Sequence, residues 1–131
     1  MVQIYITYIR SILEQSCVIW HSTLTKEDSE HLERVQKNSL QNILKDKYLN
    51  YENSLVLCQL DTLYQRRQKL LYTFGKKCIY IEQTKHLFTK KKTDHLTKKR
   101  NQERFDVIHA NTETLRNSTA PFIQRLLNRR D

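Results

Sequence analysis

The sequence contains one glycine and one proline in 131 residues. Tight turns depend on these two residues, which argues against an all-β fold with many short hairpins. Hydrophobic residues make up 38% of the chain, below the roughly 45–50% of an average globular protein, and charged residues make up 28%. The composition therefore predicts a mainly α-helical bundle with a modest core.

The sequence also has few features of a disulfide-stabilised scaffold or of a membrane protein. The three cysteines, Cys17, Cys58 and Cys78, are widely spaced and leave one thiol unpaired in any disulfide scheme. The apolar N-terminal stretch is interrupted by Arg10 and Glu14, which argues against a signal peptide or a membrane span. We expect an intracellular protein of the cytoplasm or nucleus that does not enter the membrane.

Residue patterns that are typical of catalytic sites are missing as well. No acidic pair has the aromatic-x-Asp-Asp pattern of two-metal nucleotidyl transfer, and Gly75 alone cannot form a phosphate-binding glycine loop. Cys78, His86 and His95 are the best zinc set, but core thiols and surface imidazoles explain them better. No local pattern supports a nucleophile. The sequence predicts no catalytic residue, no metal and no cofactor.

What the chain has in excess is positive charge. The formal net charge is +9, and residues 83–104, with eight basic and two acidic side chains, supply six of those nine charges. Such an excess attracts polyanions, either nucleic acid or an anionic membrane surface. Because apolar periodicity disappears in the same stretch, we predict a mobile basic linker over 83–104.

Apolar spacing of three and four residues predicts helices on both sides of this linker. A first helix is predicted over 3–20, a second over 26–45 behind Thr25, and a short third over 51–60 behind Asn50. Asp61 or Thr62 should cap a longer helix, 105–109 is a weak strand, and a last short helix carries Pro121 in its first turn. The predicted regions are 1–82, 83–104 and 105–131.

Several sequence blocks occur in an order that is similar to the C-terminal part of non-LTR retrotransposon reverse transcriptases of the jockey-like and related LINE types. The blocks are Tyr8-Ile9-Arg10-Ser11-Ile12-Leu13-Glu14, Val18-Ile19-Trp20-His21-Ser22, Leu32-Glu33-Arg34-Val35-Gln36-Lys37, Leu60-Asp61-Thr62-Leu63, Phe74-x-Lys76-Lys77-Cys78, His86-Leu87-Phe88 and Pro121-Phe122-Ile123-Gln124-Arg125-Leu126-Leu127-Asn128. The resemblance, of which these blocks are the best-matched parts, covers nearly the whole chain outside the lysine-rich linker.

The resemblance implies thumb-like helices, which in that family pack on the primer–template duplex, followed by a C-terminal extension. Endonuclease, fingers and palm would then lie upstream of Met1, and this piece of an RNA-directed DNA polymerase would be inactive alone. Three positions depart from the family pattern. Gln59 and Lys45 stand where glycine is common, and the run beginning at Lys90 replaces a proline- and asparagine-containing stretch.

Basic side chains of the helices and linker are the candidates for contact with phosphates of RNA or DNA. They are Arg10, Arg34, Lys37, Arg66, Arg67, Lys69, Lys76, Lys77, Lys90, Lys91, Lys92, Lys98, Lys99 and Arg100. Tyr5, Tyr8 and Trp20 could stack on a base, but their helical spacing favours a core role. The expected binding is weak and salt-sensitive, and the apolar helix faces are expected to pack on the missing palm or to self-associate.

A second function stays open. The same helices could form a protein-interaction module whose amphipathic faces pair with a partner, with the basic linker as a solubilising or localisation signal. A related alternative is that the chain is the product of a pseudogene and has no function.

Overall fold

A computed structural model describes residues 1–90 and 105–129 of the chain. These residues are mainly α-helical, which confirms the predicted fold class. The α-helices are α1 (Val2–Ile4), α2 (Ser11–Glu14), α3 (Cys17–Trp20), α4 (Lys26–Leu44), α5 (Tyr51–Cys58), α6 (Leu63–Cys78), α7 (Glu113–Arg116) and α8 (Thr119–Arg129). They belong to two compact units, Met1–Lys69 (unit 1) and Leu70–Asp131 (unit 2), and the boundary between the units falls inside α6.

The first 20 residues do not form the single helix predicted over 3–20. A π-helical stretch, Tyr5–Arg10, separates α1 from α2, and Ser16 adopts a left-handed backbone (φ 53°) that ends the run before α3. Because these two interruptions change the helical periodicity, Tyr5 and Cys17 are buried while Ile4, Tyr8 and Ile12 lie on the surface. The apolar stripe read from the sequence is therefore only partly buried.

The predicted starts of the next three helices are confirmed. The Thr25 hydroxyl accepts a hydrogen bond from the Asp28 amide (3.1 Å) and caps α4, and Asn50 Oδ1 accepts from the Asn53 amide (2.7 Å) and caps α5. Thr62 Oγ1 accepts from the Gln65 amide (3.2 Å) at the start of α6. Each cap satisfies an amide that the helix itself leaves unpaired.

A buried polar network holds unit 1 together. Gln36 of α4 has no exposed surface, accepts a hydrogen bond from the Tyr5 hydroxyl (2.7 Å) and donates to the Tyr51 hydroxyl (2.9 Å) and the Asp61 carbonyl (3.0 Å). Tyr51 in turn donates to Glu33 (2.6 Å), whose second oxygen accepts from an amide in the first turn of α6 (2.7 Å). One glutamine therefore links the N-terminal segment, α4, α5 and the approach to α6.

Unit 2 is built around the buried face of α8. Its side chains Ile123, Leu126 and Leu127 lie in the core, and Pro121 occupies the first turn as predicted. A Cβ atom added to Gly75 of α6 would lie 2.5 Å from Ile123, too close for any real contact. Glycine is therefore needed there for the close approach of α8, which its position inside a helix did not reveal.

Residues 105–109 form no strand, so the weak strand prediction is wrong. Phe105 makes an isolated antiparallel bridge with Lys90, and the Asn128 side chain both accepts from its amide (3.0 Å) and donates to its carbonyl (3.1 Å). The amide side chain of α8 thus replaces a neighbouring strand. One-turn helix α7, capped by Thr112, was also not anticipated.

The predicted linker begins too early. Residues 85–87 form a turn of 3-10 helix, Phe88 is buried with its ring 6.2 Å from that of Phe105, and the Leu87 carbonyl accepts a hydrogen bond from Gln124. Residues up to 90 are therefore part of unit 2. The remainder of the predicted linker, 91–104, lies outside the described residues.

Candidate nucleic-acid interface

On α4 the two predicted phosphate contacts, Arg34 and Lys37, are exposed. The sequence pairs them with Glu30 and Glu33, four residues before each, but neither ion pair forms. Glu30 lies 3.9 Å from Lys26 instead, and Glu33 is occupied by Tyr51 and an α6 amide. Within the described ranges Arg34 and Lys37 have no acidic partner, so their charge is available to an external anion.

Three other predicted contacts in unit 1 are neutralised by acids. Arg10 (3.6 Å) and Arg66 (3.1 Å) both pair with the carboxylate of Glu14, which has a side-chain exposure of only 13%. Lys69 pairs with Asp61 at 2.6 Å. Because a phosphate would have to compete with these carboxylates, the three side chains are weaker candidates than Arg34 and Lys37.

The prediction for Arg67 needs correction, because its side chain is completely buried. Its Nε donates to His21 Nδ1 (3.2 Å) and its Nη2 to Ser29 (2.9 Å), while the guanidinium lies 5.8 Å from the centre of the Trp20 ring. No carboxylate of the described residues forms an ion pair with it. Arg67 is a core residue of unit 1 and cannot reach a phosphate on the surface.

Burial and this cation together suppress the ionisation of His21. Burial, together with the positive charge of Arg67, lowers the pKa of His21 to about 4, so the imidazole is neutral at physiological pH and can accept the Arg67 hydrogen bond. Burial also lowers the pKa of Arg67, with Glu33 acting in the opposite direction. The pair is a neutral acceptor and a charged donor within the core.

In unit 2, Lys76, Lys77 and Lys90 are exposed and make no ion pair with any described residue. The Lys76 ammonium lies 4.6 Å from the centre of the Tyr72 ring, an interaction that leaves its charge intact. These three side chains remain candidates. The other predicted contacts, Lys91, Lys92, Lys98, Lys99 and Arg100, lie outside the described residues.

Sequence reasoning missed a group of arginines in unit 2, here called the arginine cluster: Arg116, Arg125 and Arg129. Arg125 Nη2 donates to the Arg116 carbonyl (2.5 Å), and Arg129 follows one turn later on α8. Burial, then the charges of Arg129 and Arg116, lower the pKa of Arg125. The Arg125/Arg129 spacing of four is visible in the sequence, but residues 105–131 carry four basic and three acidic side chains and so do not stand out as a basic segment.

No three His, Cys, Asp or Glu side chains in residues 1–90 and 105–129 come together as a metal site. None of the helices in these ranges is both long and apolar enough to cross a membrane.

Comparison with protein-family models, curated proteins and solved structures found no match to this chain.

Proposed function

We propose that this chain is the thumb and C-terminal tail of a non-LTR retrotransposon reverse transcriptase, which binds the backbone of nucleic acid weakly and has no polymerase activity by itself. The observation that carries the proposal is the backbone at Lys45 and Gln59. Both have a left-handed φ, 47° and 53°, and only Ser16 shares this among the described non-glycine residues. These are the two positions where the resembled family commonly has glycine.

Glycine adopts positive φ without the steric penalty that a Cβ atom brings. Gln59 ends α5 in the left-handed α conformation (ψ 46°), where helices often finish on glycine, and Lys45 ends α4 with a positive φ but a ψ of −116°, outside that conformation. The family pattern, read from sequence blocks, thus matches a backbone requirement at two separate helix ends. This agreement supports common descent of residues 26–63 with the thumb-like helices.

We expect Lys45→Gly and Gln59→Gly each to raise the free energy of unfolding by about 0.5–1 kcal/mol, because relief of left-handed strain outweighs the extra entropy of glycine in the unfolded chain. Urea denaturation followed by circular dichroism measures the change. The control is Gln41→Gly, at an exposed position inside α4, which should lose roughly 0.5 kcal/mol. A loss of stability at Lys45 and Gln59 equal to that of the control would contradict the proposal.

Binding of nucleic acid is supported by the basic side chains that have no acidic partner. Arg34, Lys37, Lys76, Lys77 and Lys90 are exposed and have no acidic partner among the described residues. Lys90 also belongs to the segment 83–104, which has a net charge of +6 in the sequence. Phosphate contacts from such side chains are independent of base sequence. The proposal therefore concerns the backbone of a duplex, with no base preference.

Purified protein should bind a short DNA duplex weakly, with an affinity that falls steeply as salt rises. The test variant has glutamine at Lys90, Lys91, Lys92, Lys98, Lys99 and Arg100. In the plot of log affinity against log salt, its slope should be smaller in magnitude by up to about five, since each duplex phosphate contact contributes about 0.9 to the slope. Filter binding over a salt series measures both quantities.

The matched comparison for this experiment is the variant Arg34→Gln/Lys37→Gln/Lys76→Gln/Lys77→Gln, which removes the exposed helix charges. An unchanged slope in the six-residue variant together with a flatter slope here would move the binding element from the linker to the helices. Incorporation of nucleotides into a primer by protein free of contaminating polymerase would contradict the non-catalytic part of the proposal.

A helical protein-interaction module remains the second candidate because unit 1 exposes apolar surface. Ile4, Tyr8 and Ile12, four residues apart, are 56%, 67% and 69% exposed. A groove of about 400 Å³ lies between Trp20, Leu24, Asp28, His31, Leu32 and Val35. The partner would be an amphipathic helix that offers its apolar face to unit 1. Absence of duplex binding at low salt, with a monodisperse monomer in light scattering that melts cooperatively, would favour this function.

A further inference from the structure

The arginine cluster places three positive charges next to one another in unit 2. The Arg125 guanidinium is held by its hydrogen bond to the Arg116 carbonyl (2.5 Å), so it lies beside the end of α7. Arg129 occupies the same face of α8 one turn further on, because residues four apart on a helix are neighbours. Arg116 and Arg129 are exposed, and Arg125 is half-buried.

No acidic side chain of the described part of the chain compensates these charges. None of its ion pairs includes Arg116, Arg125 or Arg129. Both neighbouring arginines act on Arg125 in the direction expected of uncompensated like charges, lowering its pKa after the larger effect of burial. A protein that holds like charges together without a counter-charge gains free energy when an anion binds between them.

The cluster stands on a rigid support. The opposite face of α8 is buried through Ile123, Leu126 and Leu127, and Gln124 accepts a hydrogen bond from the Ile108 amide (2.9 Å). The core of unit 2 therefore fixes the backbone of Arg125 and Arg129 on α8, and the hydrogen bond to the Arg116 carbonyl holds the Arg125 guanidinium. The forked N–H donors of arginines on this support suit the oxygen atoms of a phosphate better than lysine ammonium groups would.

We propose that Arg116, Arg125 and Arg129 form a binding site for phosphate groups of a nucleic-acid backbone. The inference rests on the proposed function and deepens it, because it gives the C-terminal extension a direct contact with the duplex. It is independent of the lysine-rich stretch over 91–104. Free phosphate shares the same chemistry, so the test must distinguish a single anion from a polymer.

The test compares Arg116→Gln/Arg125→Gln/Arg129→Gln with a control of equal charge change, Lys26→Gln/Lys45→Gln/Lys47→Gln, which are exposed lysines of unit 1. Duplex affinity is measured by filter binding over a salt series, with inorganic phosphate added at constant ionic strength in a parallel arm. The arginine variant should lose at least about tenfold in affinity and about two to three in salt slope, at about 0.9 per phosphate contact. The control should lose less than about twofold, as expected for charges that make no phosphate contact.

A third variant, Arg116→Lys/Arg125→Lys/Arg129→Lys, keeps the positive charge and remains informative if the glutamine variant does not fold. Circular dichroism monitors folding in every variant. It should retain most of the salt slope but bind less tightly, because lysine lacks the forked geometry. If the glutamine variant fails to fold, a lysine variant that folds with wild-type affinity overturns the site, and one with reduced affinity supports it.

The remaining outcomes separate the two proposals. Failure of the unaltered protein to bind duplex at any salt concentration would overturn both. Binding that the six-residue linker variant reduces, but that the arginine variant reduces no more than its control, would leave the proposed function standing and overturn the site. Full displacement of the duplex by inorganic phosphate at constant ionic strength would show a site for a free anion and would also overturn the inference.

Discussion

Replacing Gln36 by leucine should lower the free energy of unfolding of unit 1 by about 3 kcal/mol or more, because buried polar groups without partners cost about 1–3 kcal/mol each. Leucine has a similar size but cannot hydrogen-bond, so the Tyr5 hydroxyl would lose its acceptor and the Asp61 carbonyl would lose its donor. Both groups meet at a side chain with no exposed surface.

Urea denaturation of the Gln36→Leu variant measures this loss. The matched control is Gln41→Leu on the exposed side of the same helix, which should change stability by no more than about 0.5 kcal/mol. A loss below about 1 kcal/mol in Gln36→Leu would contradict the prediction, because it would mean that the orphaned groups find other partners.

Acidification should destabilise unit 1 through His21. The ordinary pKa of histidine is 6.5, whereas burial and Arg67 lower that of His21 to about 4 in the folded protein. Between these values the unfolded chain binds a proton that the folded protein excludes, so stability is complete above pH 6.5 and falls as pH decreases. Since one pKa unit corresponds to about 1.36 kcal/mol, the total loss approaches roughly 3 kcal/mol near pH 4.

The measurement is the free energy of unfolding between pH 7 and pH 4 for the unaltered protein, His21→Gln and His31→Gln. Carboxylates titrate at the lower end of this range, so only the difference between proteins isolates His21. His21→Gln should be less stable at pH 7 but should have a shallower pH dependence, while exposed His31 serves as the control. Identical slopes for the unaltered protein and His21→Gln between pH 6.5 and pH 5 would be inconsistent with the buried pair.

Local signals predicted the helix starts well. Thr25, Asn50 and Thr62 cap helices as expected, because a cap depends on a side chain and an amide only three residues away. The break at Ser16 was not predictable in this way. The apolar spacing continues across it, and no residue near Ser16 marks the left-handed backbone that places Cys17 in the core.

The candidate interface was harder to predict because charge alone does not reveal burial. The basic pattern predicts a phosphate contact for Arg67 together with Arg66 and Lys69, although Arg67 stands four residues after Leu63 and four before Leu71. Both leucines are completely buried, and helical spacing puts Arg67 between them. That signal was present in the sequence. The arginine cluster, in contrast, depends on a contact between α7 and α8 that no local pattern specifies.

Trp20 gives unit 1 its own optical reporter. It is the only tryptophan of the chain, its indole donates to the Gln15 carbonyl (2.8 Å), and its ring faces the Arg67 guanidinium. Its emission will shift when water replaces these surroundings, while tryptophan-free unit 2 contributes nothing to that signal. Far-ultraviolet ellipticity follows the helices of both units. If the emission and the ellipticity change at the same denaturant concentration, the two units unfold together. If the emission changes at a lower or higher denaturant concentration, unit 1 unfolds in a transition of its own.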